Sequence, residues 1–399
     1  MQSTTQAAVD TTHTLPLAEP QEGASQASGP GRLLSLDVFR GLTVLAMILV
    51  NNPGDWGHIY GPLEHAAWHG CTPTDLIFPF FLFIVGVSLV YALGGVRERG
   101  GPRRPVLARV ARRAAVLVGL GLFLALFPKF DFAAVRIPGV LQRIGLVFLA
   151  CGFLYLTTAR RTWLLVLAVL LVGYNLLLLL PAPGQAVAQL LPGHDLVAWL
   201  DRTLLTEAHL WKSSRTWDPE GLLSTLPAIA TGLLGVVAGE WLRRPGIAPA
   251  EKVVWLFIDA ALLIGLGLIW NSWLPINKSL WTSSYVLYSG GLAVAGLAAL
   301  YWLCDVQGWR RWTAPFMVFG VNAIVAFFGS SLVARSLNML KVMGPTGGEV
   351  SLKDYLYHGF IAPWFTDPRN ASLAGALSCV LIWALVLSVL YRRRIIVKV

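Results

Sequence analysis

The stretch HAAWHGCTPTDLIFPFFLFIVGVSLVYALG, running from His65 to Gly94, decides the architecture. From Leu76 onward it carries no Asp, Glu, Lys or Arg until Arg97. An apolar run of about 20 residues is what an α-helix needs to cross the hydrocarbon core of a bilayer. In that core the backbone must satisfy its own N–H and C=O groups, so the run reads as a spanning helix. Its mouth differs in kind. Two histidines, His65 and His69, and one carboxylate, Asp75, stand just before the apolar residues. Titratable groups gathered at the edge of a span read first as a functional site.

The rest of the chain repeats the apolar pattern. Of 399 residues, 56% are hydrophobic and 13% are charged, against about 25% charged in a soluble domain. Ten spans are predicted, near 34–52, 74–94, 107–127, 137–157, 161–181, 221–242, 252–272, 282–303, 314–334 and 372–391. The expected fold is therefore an all-α, polytopic transmembrane helical bundle over residues 33–399. The alternating segments of about ten residues that mark a membrane β-barrel are absent. Residues 1–32 are polar and lack the basic start and apolar core of a signal peptide, so they are expected to form a disordered cytoplasmic tail.

The net charge of +10 does not point to nucleic acid, because the basic residues lie in short loops between apolar runs. If the spans alternate, 19 basic residues fall on the side of the termini and 10 on the other. The loop bearing His65 has no Lys or Arg. Both termini are thus expected in the cytoplasm and the His65 loop outside, with a bacterial inner membrane as the expected location. Two long outer loops, about 182–220 and 335–371, hold many aromatic residues and are expected to pack over a site or lie at the membrane interface. The four scattered cysteines show neither metal spacing nor a disulfide framework.

His65 is a candidate general base, since imidazole titrates near operating pH. His69 follows four residues later, but Gly70 and Pro73 argue against a helix that would make the pair a metal site, and no metal is expected. Asp75 has two readings: a helix-start carboxylate beside the caps Thr72 or Thr74, or the group that orients His65 or His69. Arg40 lies inside the first span with Asp37 three residues earlier. That is a self-neutralising pair or an anion site for a phosphate. Gln142, Arg143 and Asn322 are further polar groups in spans and suggest a polar passage. No Walker loop, dinucleotide fingerprint, nucleophile elbow or zincin motif occurs.

Several blocks together carry a family resemblance. They are Ser35-Leu36-Asp37-Val38-Phe39-Arg40-Gly41-Leu42, Val50-Asn51, His65-Ala66-Ala67-Trp68-His69-Gly70 and Thr74-Asp75-Leu76-Ile77-Phe78-Pro79. Arg136-Ile137-Pro138-Gly139-Val140-Leu141-Gln142-Arg143, Trp217-Asp218-Pro219-Glu220-Gly221-Leu222, Ile276-Asn277-Lys278-Ser279-Leu280-Trp281 and Gly320-Val321-Asn322 follow in order. The chain resembles the heparan-α-glucosaminide N-acetyltransferase family. The resemblance implies transfer of an acetyl group from cytosolic acetyl-CoA, as co-substrate, to the amine of a glucosaminide or other amino sugar across the membrane. It implies His65 as general base or acetyl carrier, with Asn51 donating to the oxyanion and Asp75 completing the catalytic set. Arg40, Gln142, Arg143 and Asn322 are then expected to hold the cofactor, and His69, Trp68, Asp218, Glu220, Asn277 and Lys278 the acceptor. His69 departs from the Asn of a lysosomal member. Expected partners are an amino-sugar or saccharide acceptor and the lipid bilayer, with a homodimer left open and no nucleic acid. An amino-sugar transporter is the alternative.

Overall fold

The computed structural model describes residues 33–344 and 348–397, so the tail expected over 1–32 lies outside the described residues. Thirteen α-helices follow in the described chain. The first six are α1 (Leu34–Asn51), α2 (Ile77–Glu98), α3 (Arg103–Leu126), α4 (Val140–Thr157), α5 (Arg160–Leu178) and the short α6 (Leu196–Leu205). Next come α7 (Thr225–Arg243), α8 (Pro249–Trp270), α9 (Ser283–Tyr301), α10 (Ala314–Val321) and α11 (Ala323–Met339). A two-stranded antiparallel hairpin, β1 (Lys341–Met343) with β2 (Glu349–Ser351), precedes α12 (Leu352–Phe360) and α13 (Pro368–Arg392).

Among the described residues, eight helices are long and apolar enough to cross a membrane, or nine if the pair α10 and α11, bent by 64° at Asn322, is one span. The predicted tenth is α3. It forms as a helix, but Arg103, Arg104, Arg109, Arg112 and Arg113 occupy its first half, leaving a purely apolar stretch only from Ala114 to Leu126. Hydrogen bonds nevertheless show that α3 joins opposite ends of the bundle. Ahead of its start, Arg97 donates to the Tyr155 carbonyl at the end of α4. Beyond its finish, Arg136 binds Asp218 in the loop before α7.

The two ends are held differently. At one, the first N–H groups of α1, at Leu34 and Ser35, donate to the Asp305 carboxylate over 3.2 and 3.0 Å. A carboxylate suits a helix N-terminus, where N–H groups lack intrahelical partners. At the other end gather the C-terminus of α1, the starts of α2, α4, α7 and α9, and the long loops.

The helices α2, α4, α7 and α9 form the centre, packing Phe83, Val87, Val147, Leu233, Val236 and Val286 out of contact with solvent. By contrast α5, α8 and α13 leave Leu165, Val169, Leu262, Leu266, Leu381 and Leu385 exposed. Apolar faces of that extent need a nonaqueous neighbour, here lipid. Close packing of α2 on α7 depends on small residues. A Cβ at Gly86 would lie 2.0 Å from the Gly232 carbonyl oxygen, and one at Gly235 would lie 2.0 Å from that of Phe83.

Gly86→Ala should therefore push α2 from α7 and lower stability by about 1–3 kcal/mol, as overpacking does. Gly119→Ala is the control, because nothing lies within 4 Å of that position. Thermal unfolding in detergent should show a clear loss for the first and none for the second; equal behaviour would refute this packing.

Candidate active site at the loop end of the bundle

The site is built around Asp75, whose side chain is 1% exposed. Residues Pro73–Leu76 form one 3-10 turn that leads into α2, and Thr72 caps it. The cap aims the backbone N–H of Thr72 at Asp75 Oδ2 over 3.0 Å, and Ala66 N–H reaches the same oxygen over 3.0 Å. From below, the Tyr285 hydroxyl donates to the Asp75 carbonyl over 2.6 Å. Oδ1 meets His65 Nδ1 at 2.7 Å and Lys278 Nζ at 3.4 Å. A carboxylate only accepts, so Nδ1 carries a proton, and in the neutral ring Nε2 keeps its lone pair. The His65 side chain is 54% exposed, so that lone pair is reachable. Asp75 thus closes the turn through Thr72 N–H and touches the His65 ring, the contact that a role in orienting His65 needs.

Lys278 arrives on the tight turn between α8 and α9. Buried Asn277 shapes that turn, accepting from Leu280 N–H at its Oδ1 and donating its own N–H to Thr282 Oγ1. The turn ends at Trp281, whose φ of 53° is left-handed. Asn277 also faces His69, with Nδ2 3.3 Å from Nδ1, while Gly70 N–H donates to the Ile276 carbonyl. His69 thus joins the two loops and does not touch Asp75. Burial lowers the His69 pKa and disfavours its charged form. For Lys278, burial lowers the pKa and the Asp75 and Glu220 carboxylates offset part of the fall.

A second charged group stands beside this one. Arg136 grips Asp218 through Nε and Nη2, at 2.8 and 2.6 Å, and also binds Glu220. Burial works against the Glu220 carboxylate, but Arg136, Arg143 and Lys278 outweigh it and its pKa falls. Arg143, fully buried at the start of α4, donates to the Gly221 carbonyl and Ser224 Oγ, with its Cζ 5.0 Å from the centre of the Trp281 ring. Its Nε and Nη1 have no protein partner among the described residues. The ring of Trp281 packs in turn on Phe78 and Tyr285.

The loop 182–220 packs against these groups. Trp68 donates to the Leu190 carbonyl and packs edge-on against Trp217, which does the same against Trp211. Within the loop, Asp201 on α6 is wholly buried. One of its oxygens accepts from Leu222 N–H at 2.9 Å, while the other has no partner among the described residues and lies against Gly221. Burial lifts its pKa to about 7, and the nearby Asp218 adds to the rise.

Residues 32–251 match the sequence profile of the family described as heparan-alpha-glucosaminide N-acetyltransferase, catalytic. The chain belongs to that family. It is 28% identical to human heparan-alpha-glucosaminide N-acetyltransferase, over 93% of this chain and 60% of the human protein. The mouse protein of the same name is 27% identical, over 96% of this chain and 63% of its own length. The chain therefore spans less than two thirds of these relatives.

Of the positions singled out in this family member's sequence, His65, Asp75 and Lys278 form one contact group, with His69 and Asn277 adjoining. Asp218 and Glu220 form a second group with Arg136. The residues expected at the cofactor do not meet. Arg40 lies near the start of α1, bound to Asp37 at 2.9 Å and to Ser88 at 2.7 Å. Gln142 and Arg143 lie in the first turn of α4, at the loop end, where Gln142 donates to the Ile137 carbonyl. Asn322 sits at the bend, donating to the Ile395 carbonyl and accepting from Val397 N–H. A continuous polar passage through these four is not formed by their contacts. Asn51 is exposed at the end of α1 and makes no side-chain hydrogen bond with the described residues. Among the described residues, no three His, Cys, Asp or Glu side chains could hold a metal ion.

Arg136 and Asp201 stand among these groups but are not among the candidate residues that the sequence offers. Arg136 had a signal, as the first residue of a quoted block. Asp201 had a weaker one, a lone acid in the apolar run Leu196–Leu205.

The buried Asp201 gives a pH prediction. The folded protein retains a proton that the unfolded chain releases between about pH 4 and about pH 7, so stability should fall as pH rises through that window. Asp201→Asn removes the ionisation and should flatten the slope, leaving the part due to Asp195, which burial also raises, opposed by that of His69, which burial lowers. Melting temperatures at about pH 4.5 and about pH 7.5 measure it. An undiminished slope in the variant would refute the assignment.

Proposed function

We propose that this chain transfers the acetyl group of acetyl-CoA to the amine of an amino sugar, at the end of the bundle that carries His65. The observation that carries the reading is the His65–Asp75 contact: a buried carboxylate on Nδ1 and an exposed lone pair on Nε2. That is the arrangement a general base needs, and membership of the family supports acetyl-CoA as the donor and an amino sugar as the acceptor.

The residues act in sequence. Nε2 of His65 takes a proton from the acceptor amine as the nitrogen attacks the acetyl carbon. Asp75 stabilises the imidazolium that forms and holds the ring in place. The amide of Asn51, at the same end of the bundle, donates to the oxyanion of the tetrahedral intermediate. Such a donor contributes about 2.7–4 kcal/mol. Collapse of the intermediate expels the CoA thiolate. Trp68 and Trp217 supply aromatic faces against which a sugar ring packs, and Glu220, held by Arg136, supplies an acceptor for its hydroxyls. Arg40 near the far end of α1 offers a cation to the nucleotide end of acetyl-CoA. The far end is cytoplasmic in this reading, supported by the basic residues that cluster there. Inner-membrane location and a saccharide acceptor belong to the same proposal.

Two measurements test it. His65→Ala should reduce acetyl transfer to glucosamine by about 10²–10⁴ while leaving the melting temperature nearly unchanged, because the side chain is half exposed. His69→Asn should keep most activity. Wild-type rates in His65→Ala would sink the mechanism, and uptake of glucosamine without acetylation would favour transport. For the orientation, His58→Cys should react with an impermeant thiol reagent from outside intact cells, and Gly101→Cys only after the cytoplasm is opened, native cysteines having been replaced. The reverse pattern would invert the proposed topology.

A further inference from the structure

The imidazole of His65 has two neighbours of opposite charge. Asp75 takes Nδ1 at 2.7 Å. Lys278 Nζ lies 3.0 Å from Nδ1 and 3.3 Å from Nε2 of the same ring. A point nearly equidistant from both nitrogens is on neither lone-pair axis. In the plane of the ring it would overlap the ring carbons, so the ammonium lies over a face of the imidazole. There it leaves the Nε2 lone pair unobstructed. The Lys278 side chain is only 18% exposed, so little water screens it from the ring. Burial lowers its pKa, and its carboxylate neighbours Asp75 and Glu220 offset part of that fall and act to keep it charged.

We propose that Lys278 is a positioning residue for His65, and not a ligand of the acceptor: its cation opposes a second positive charge on the ring. His65 then meets the acceptor amine as a neutral base and, once protonated, is driven to pass the proton on. This rests on the acetyl-transfer reading above. The new bond joins the amine nitrogen to the acetyl carbon, and the bond that breaks is carbon to sulfur. The proton leaves the amine for Nε2 and goes from there to the thiolate of CoA. Asp75 and Lys278 act on the ring in opposite senses, the carboxylate favouring imidazolium and the ammonium opposing it. The other groups that face the pair are Cys71, whose thiol burial pushes up to about 12 and keeps neutral, and Glu220, bound to Arg136.

The test reads His65 directly and also in turnover, using the full chain in nanodiscs. Diethyl pyrocarbonate modifies neutral imidazole, and mass spectrometry gives the extent at His65 across pH. In Lys278→Met only Asp75 acts on the ring. The pH of half-modification should rise by about one unit, a tenfold loss of reactivity on the acid side. His69, which Lys278 does not touch, should keep its midpoint. The acid limb of kcat/KM should move the same way, with KM for the acceptor unchanged, and Lys278→Arg should restore both. If Lys278→Met does not fold, Lys278→Gln is read identically. An unmoved His65 midpoint overturns the proposal. So does a raised acceptor KM with an unmoved acid limb, which would make Lys278 a binding group, and so does a failure of Lys278→Arg to restore. A shifted midpoint in a protein whose wild type transfers no acetyl group overturns the acetyl-transfer reading and the relay with it, while leaving the cation's effect on the ring intact.

Discussion

A buried carboxylate needs partners, and the way Asp75 finds them fixes the loop end of this molecule. Leaving a charge of that kind unpaired inside a protein costs several kcal/mol, so the surroundings must supply donors or the group must neutralise. Asp75 draws its donors from three places. Ala66 and Thr72 give backbone N–H groups from the preceding loop, the His65 ring comes from the start of that loop, and Lys278 comes from the α8–α9 turn. Each donor is tied elsewhere. The His65 loop is joined to the Lys278 turn through Gly70 and Ile276, and α9 reaches up to the Asp75 carbonyl through Tyr285. Folding of these segments and formation of the site are therefore one event.

The sequence made the helices legible because a bilayer imposes a coarse rule: about 20 apolar residues per span. All ten predicted spans correspond to helices or, for 314–334, to a bent pair. Two features escaped the rule for physical reasons. In α3 the arginines of the first half are compatible with a helix that projects beyond the hydrocarbon core, so hydropathy alone overstates its apolar length. The bend at Asn322 arises where a buried amide bonds the backbone of Ile395 and Val397, residues more than seventy positions away. No local pattern encodes a contact of that range. The helix α6 falls within a loop in the pattern of spans, because ten residues are too few to mark one.

The site was legible in its residues more than in its grouping. Scarcity made His65, His69 and Asp75 conspicuous, yet spacing could not assign Asp75 to one histidine. The answer depends on the 3-10 turn at Pro73–Leu76, which aims the carboxylate back toward His65 while the Gly70–Ile276 bond turns His69 toward Asn277. Arg143 shows the converse. An arginine within a predicted span suggested a passage for a cofactor, but its position in the first turn of α4 puts it beneath Trp281 and beside Gly221, at the same end as His65. Depth along a helix, not membership of a span, decides what a polar residue can reach.

The charges at this end are arranged in two balanced clusters, and the balance bears on the chemistry. Lys278 with Asp75, and Arg136 and the neighbouring Arg143 with Asp218 and Glu220, leave little net charge to be desolvated when a substrate seals the surface. A neutral amine entering such a surface meets no large field until it gives up its proton. In the proposed transfer the protonated His65 ring would then have one neighbour that attracts it, Asp75, and one that repels it, Lys278. A base for a single deprotonation could be stabilised by a carboxylate alone, whereas a group that must release the proton in the next step works better with both neighbours. The pairing of Asp75 and Lys278 around one ring fits the second task.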